Sequence, residues 1–423
     1  MKIYASVCLL STMLSFAQLS KIDPEQEGVS NERIKRISEL SKTYLNEEKV
    51  AGIVTMVSRN GKIIYSKAFG KKGIDDSRKL EIDDLFRIYS MTKPIVAVAA
   101  IQLYEKGKFH LNDPISKFLP ELKDLSVMDE NGNLTKNNSP ITMQQLLTHT
   151  AGFSYGFSNS KVDKEYNKAE LWKSKDSNDF IKRVSTLPLH YKSGERWHYS
   201  IAVDLTGIII ERISGLGLDE YLQEHIFKPL GMIDTFFEVP RNKMNRFLPN
   251  HYYDYKERSL KVVQETKEKF NAMSNYEDVA FFSGGGGLVS TAMDYMIFME
   301  ALQNSGSLNG NRIISPKALK YMTKDHLSAS IEKKGGSGEN PLDEKNDGSG
   351  FGLGFGLVTN SVNKSVIGSD GTYSWGGAAG TVFWIDPVEN ISVVSMIQLM
   401  SSPWSLREDL KVAIYQALDQ VNE

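Results

Sequence analysis

The apolar positions of the chain alternate between two periods. Ser30-Asn31-Glu32-Arg33 has the composition of a helix start, and Ile34, Ile37, Leu40 and Tyr44 follow it at helical spacing. From Gly52 to Gly70, GIVTMVSRNGKIIYSKAFG places two β-rich runs on either side of Arg59-Asn60-Gly61, which predicts a hairpin. The far end mirrors this order. GTVFWIDPVENISVVSMIQL, 380–399, is two apolar runs around Asp386-Pro387, followed by a helical pattern from about Ser405 to Val421. Hairpin and helix at both ends predict one antiparallel sheet assembled from both ends of the sequence. What lies between is then an insertion or a separate lobe.

That middle reads as helical. KPIVAVAAIQLYEKGKF, 93–109, is apolar almost all round and so predicts a buried helix. TMQQLLTHTAG, 142–152, predicts a short helix stopped by Gly152, and IAVDLTGIIIERISG, 201–215, one ended by Gly215. Residues 328–350 are rich in Gly, Ser, Lys and Glu without periodicity, the pattern of a long loop. The expected class is α/β in the α+β sense. An antiparallel sheet flanked by helices (18–85 and 285–423) is joined to an all-helical lobe (86–284). Before it, Lys2, an apolar run from Ile3 to Phe16 and the small-x-small Ser15-Phe16-Ala17 form a signal-peptide pattern over 1–17. The expected location is periplasmic or secreted.

Composition narrows the chemistry. At 423 residues and 41% hydrophobic, the chain has material for one large composite domain or two packed ones. A formal charge of −2 gives no general attraction to nucleic acid or anionic membrane, and no apolar stretch after the leader is long enough for a membrane span. The single cysteine, Cys8, lies inside the leader. Cleavage would leave no thiol, which excludes cysteine nucleophiles, cysteine-bound metals and disulfides together.

GFSYG, 152–156, matches the G-x-S-x-G nucleophile elbow, which needs a strand before Ser154 and a helix after it. Helix-forming residues precede it and the polar FSNSKVDKEYN surrounds its far side, so Ser154 reads as part of a turn after a helix. A better candidate stands at the head of the apolar helix: Ser90-Met91-Thr92-Lys93, an S-x-x-K. Residues i and i+3 share a helix face, so Lys93 reaches the Ser90 hydroxyl, which needs an adjacent base to be nucleophilic. Burial against that helix favours a neutral, proton-accepting amine, and the helix start offers free N–H groups to an oxyanion. Tyr199-Ser200-Ile201 precedes a second apolar helix, and Tyr199 is suited to proton relay beside a Ser–Lys pair. Trp375-Gly376-Gly377 leads into an edge-like strand where the glycines admit close backbone approach. The N–H of Ala378 is then a second oxyanion donor, a kind of group worth about 3 kcal/mol in a transition state. The glycines of SGGGGLVST, 283–291, lack the Gly-Lys-Ser/Thr of a phosphate loop and read as tight packing near the cleft. His149 and His198 lack metal-ligand spacing, so no metal is expected, and His149 reads as a structural hydrogen-bonding residue.

These three motifs, in this order, resemble those of the serine β-lactamase and penicillin-binding-protein-like hydrolases: S-x-x-K, Y-[SA]-x and [KHW]-x-G. FRIYSMTKPI, DPISKFLPEL, ITMQQLLTHTAGF, PLGMIDTFFEVP and GGGGLVSTAMDY extend the resemblance over nearly the whole mature chain. It implies a β-lactamase/transpeptidase-like fold with the site between sheet and helical lobe, and acyl-enzyme chemistry without cofactor or metal. By the resemblance Ser90 is the acylated nucleophile and Lys93 and Tyr199 are the proton-transfer pair. The backbone N–H groups of Ser90 and Ala378 form the oxyanion hole, and Ile201, Trp375, Gly376 and Gly377 contact substrate. Two departures matter. The family usually has Asn where Ile201 stands and Lys where Trp375 stands, so polar recognition of a substrate amide and carboxylate is lost, as in the related esterases. The implied partner is a small-molecule ester or amide. A carboxylesterase is the first expectation, a β-lactamase or D-amino-acid peptidase the alternative, and a non-catalytic binding protein the least supported.

Overall fold

The computed structural model describes residues 19–264, 275–327, 331 and 348–422. The leader expected over 1–17, and the loop expected over 328–350 apart from 331 and 348–350, lie outside the described residues.

Seven strands form the main sheet: β1 Gly52–Arg59, β2 Lys62–Gly70, β3 Ser349–Phe351, β4 Gly356–Val358, β5 Tyr373–Gly376, β6 Val382–Asp386 and β7 Ile391–Met396. Their order across the sheet is β3-β4-β5-β6-β7-β1-β2, and every pairing is antiparallel. The joint between the two ends of the sequence is the β1–β7 ladder, from Val54 opposite Met396 to Arg59 opposite Ile391. Both predicted hairpins are present. Asn60 (φ 52°) and Gly61 (φ 76°) make the first turn with two left-handed residues, which matches the twist of the flanking strands.

Period-two alternation assigns the two faces. Ile53, Val57, Val382, Trp384, Ile391 and Val393 join one cluster with Ile37 and Tyr44 of α1 (Arg36–Asn46) and Leu410 and Ile414 of the C-terminal helix (Leu406–Tyr415). Their neighbours Val54, Met56, Phe383, Ile385, Val394 and Met396 join the larger cluster on the opposite face. That cluster runs on through α2 (Thr92–Glu105), α3 (Met143–Leu147), α4 (Ala202–Ser214) and α5 (Ala292–Gln303). With the C-terminal helix as α6, the sheet is covered on both faces. Every residue of α2 from Thr92 to Leu103 is buried, as its all-round apolarity requires.

Three local expectations need correction. The helix expected to run to Gly152 stops at Leu147, because Thr148 caps it and His149 turns left-handed at φ 55°. The last helix ends at Tyr415, not near Val421. The Trp375 strand is internal to the sheet, between β4 and β6. Its edge-like quality comes from the shortness of β4, which pairs only with Tyr373 and Ser374. Among the described residues no helix is long and apolar enough to cross a membrane.

Candidate active site

Ser90 sits on a single 3-10 turn, Tyr89–Met91, that runs directly into α2. The turn is held under tension: Tyr89 is left-handed at φ 42°, a conformation a bulky side chain adopts only where its surroundings enforce it. Those surroundings are visible. Ile88 N donates to Leu288 O at 3.1 Å, Leu288 N donates to Thr92 Oγ1 at 3.1 Å, and the Tyr295 hydroxyl of α5 donates to Met91 O at 2.9 Å. Asn250 Nδ2 reaches the Tyr89 hydroxyl at 2.9 Å. The glycine run before Leu288 lets the backbone pack closely here: a side-chain carbon at Gly284 would meet the Val203 carbonyl and one at Gly287 the Phe237 ring.

Three predicted residues meet. The Tyr199 hydroxyl donates to Ser90 Oγ at 2.6 Å, and Lys93 Nζ donates to the same oxygen at 3.2 Å. Lys93 Nζ also donates to Gly285 O at 2.6 Å and lies 4.5 Å and 5.0 Å from the ring centres of Tyr199 and Tyr155. A carbonyl oxygen and two ring faces are all cation-binding groups. Behind them is a carboxylate that sequence reasoning missed. Asp204, fully buried, accepts from Ser283 Oγ at 2.5 Å, Gly285 N at 2.9 Å and the Tyr155 hydroxyl at 3.1 Å. Burial pushes its carboxyl above the usual carboxylate range, while the charge of Lys93 and these hydrogen bonds pull it back. A hydroxyl oxygen that takes hydrogen bonds from a tyrosine and a lysine is placed for attack on a carbonyl carbon once that pair has given up one proton and can accept the Ser90 proton.

His149 is neutral, because full burial and the neighbouring Lys93 charge push its pKa well below the ordinary imidazole value. Its Nδ1 accepts from Ser200 N at 3.3 Å and its ring lies 4.8 Å from that of Tyr199, so it fixes the Tyr199 segment structurally. Trp375 flanks Tyr199 at 5.6 Å and Phe351 flanks Trp375 at 5.3 Å. On the other side Tyr155 lies 5.2 Å from Tyr199 and stacks on the exposed Phe157 at 5.0 Å. A line of five rings thus passes the Ser90 hydroxyl. Gly376 lies against the Arg407 guanidinium, and a side-chain carbon at Gly377 would run into the Ile88 carbonyl. That close approach brings the turn carrying Ala378 against the Ser90 turn. Ile201 corrects the expectation of a substrate contact: it is fully enclosed as the residue before α4 and packs in the core behind Tyr199.

Ser154 does not join this group. Only 1% exposed, its hydroxyl donates to Asp163, and His198 Nε2 lies 3.4 Å from it. The neighbour Tyr155, not Ser154, is what GFSYG contributes to the Ser90 cleft. Asp163, His190 and His198 converge beside Ser154, a grouping their sequence spacing does not signal.

The sequence pattern of the Beta-lactamase family matches residues 35–418. This chain belongs to that family. An uncharacterized protein of Mycobacterium tuberculosis is 33% identical over 357 residues, 82% of this chain and 86% of the relative. Esterase EstB of Burkholderia gladioli is 28% identical over 391 residues, 88% of this chain and 92% of the relative. The solved structure of the simvastatin synthase LovD of Aspergillus terreus superposes with a TM-score of 0.77 at 24% identity, over 90% of this chain and 98% of that one. The shared Beta-lactamase fold and these relatives make the protein a serine hydrolase.

Proposed function

We propose that this Beta-lactamase-family hydrolase is an exported carboxylesterase that works through an acyl intermediate on Ser90. The observation that carries the reading is the Ser90 hydroxyl held between Tyr199 at 2.6 Å and Lys93 at 3.2 Å, on a line of aromatic rings. In this reading the active form of the Tyr199–Lys93 pair holds one proton fewer than a phenol beside an ammonium, and Ser90 Oγ attacks the ester carbonyl as its proton passes to that vacant position on the pair. The N–H groups of Ser90 and Ala378 stabilise the tetrahedral oxyanion. The same pair returns the proton to the departing alcohol, and water then repeats the sequence on the acyl-enzyme. Trp375 and Tyr155 supply apolar walls for the acyl or alcohol group, with Phe351 packed behind Trp375. The esterase among the relatives supports the same class.

A second reading has its own observation. The Arg407 guanidinium lies beside Gly376, and a β-lactam or D-amino-acid peptide carries a carboxylate that such a cation attracts. Turnover of p-nitrophenyl butyrate and nitrocefin by the native chain, Ser90→Ala and Ser154→Ala separates these readings. The expected result is ester turnover well above nitrocefin turnover, lost by at least about a thousandfold in Ser90→Ala and retained in Ser154→Ala. Nitrocefin turnover exceeding ester turnover would establish the second reading, and an undiminished Ser90→Ala would end both. Export is tested by the N-terminus of protein recovered from the cell envelope, expected at Gln18.

A further inference from the structure

The cluster beside Ser154 stands outside this chemistry. Asp163 comes from the helix Lys161–Lys168, and His190 and His198 from the segment that leads to Tyr199. One ligand-type atom from each lies within 4.8 Å of the others. Three points so separated have a common centre no more than about 2.8 Å from each, so Zn–N and Zn–O bonds of about 2.0–2.2 Å need about 0.7 Å of closure per ligand. Small side-chain rotations supply that.

The framework around these three is fixed. His190 N donates to Gly152 O at 2.7 Å and His198 N to His149 O at 2.8 Å. The His190 ring stacks on Tyr191 at 4.4 Å and meets His198 edge-on at 4.8 Å. Asp163 accepts from Ser154 Oγ at one oxygen and from Ser158 N (2.8 Å) and Ser158 Oγ at the other. Hydroxyls that orient a carboxylate in this way are the usual outer support of a metal ligand. His190 Nδ1 is buried, and among the described residues nothing hydrogen-bonds to it.

We propose that Asp163, His190 and His198 form a binding site for one borderline divalent cation, with Zn²⁺ as the fitting ion. Two imidazoles and one carboxylate suit zinc better than magnesium or calcium, which prefer all-oxygen shells. The ion would fasten together the residues preceding two rings of the Ser90 cleft, since Ser154 adjoins Tyr155 and His198 adjoins Tyr199. It takes no part in acyl transfer, so the proposal is independent of the substrate.

The test uses the full chain, stripped with EDTA and given ZnCl₂ or MgCl₂. The readouts are metal content after gel filtration, calorimetric titration and the thermal midpoint. One retained zinc per chain, a raised midpoint with zinc and none with magnesium are expected. His190→Gln, at a partly exposed position that leaves the core intact, should weaken zinc by more than about a hundredfold. Asp163→Asn should do the same where it folds. Absence of retained zinc would overturn the proposal, as would zinc bound equally well by His190→Gln, which would place the ion on other histidines.

Discussion

Asp204 shows how a residue without contact to substrate shapes this site. Its carboxylate gathers the Ser283 hydroxyl, the Gly285 N–H and the Tyr155 hydroxyl. The Gly285 carbonyl, on the far side of that amide, holds Lys93. Asp204 is a positioning residue for Lys93. Asp204→Asn keeps the volume and loses the charge, so kcat for p-nitrophenyl butyrate should fall about tenfold or more, with KM little changed. The pH profile of kcat/KM should move as well, which a general loss of stability would not produce. Asp204→Ala strands two buried donors and should cost a further 1–3 kcal/mol, roughly, in urea unfolding. A signal for Asp204 was present in the sequence: a carboxylate in the first turn of the otherwise apolar IAVDLTGIII. The S-x-x-K pair was legible because three residues on a helix fix a distance. Tyr155 and the Asp163–His190–His198 grouping were not, because their meeting depends on how remote loops pack.

At the scale of elements, α5 carries a second buried acid. Asp294 in its first turn accepts from Asp234 N at 2.7 Å and Thr235 Oγ1 at 2.9 Å, and burial raises its pKa from 3.8 to about 7. Between those two values the folded chain holds a proton that the unfolded chain has released. Stability therefore falls as pH rises through this window, with the penalty complete above about pH 7. Asp294→Asn removes the titration. Its urea midpoint relative to the native chain should improve steadily from pH 4 to pH 7.5, and a flat difference would count against this account. Elements also mark where local patterning fails. The sequence predicts a helix over 142–152 that ends at Gly152, and Gly152 is indeed left-handed at φ 92°, but the helix has already stopped. His149, three residues earlier, turns left-handed first, held by Ser200 N on its ring. Both hairpins were legible, since alternation and turn residues are properties of adjacent positions.

For the whole molecule, the decisive contact is the β1–β7 ladder, which joins residues more than 300 positions apart. Such pairing closes a very long loop, so neither end can form a stable sheet early and alone. A chain stopped at Gly380 loses β6, β7 and α6 and strips β1 of one neighbour. It should show no cooperative urea transition by circular dichroism, whereas the full chain should. The sheet's construction from both ends was readable from the mirrored hairpin-and-helix order, but the faces of the site had to come from the three-dimensional packing. The ring line illustrates this: Phe157, Tyr155 and Tyr199 arrive from the helix-rich segment, and Trp375 and Phe351 from the sheet. It has a consequence for observing the protein at work. The Trp375 indole, 5.6 Å from the ring whose hydroxyl touches Ser90, is a built-in optical probe, so loading and unloading of Ser90 should register in real time as a change in ultraviolet emission, with a colourless substrate and no attached dye.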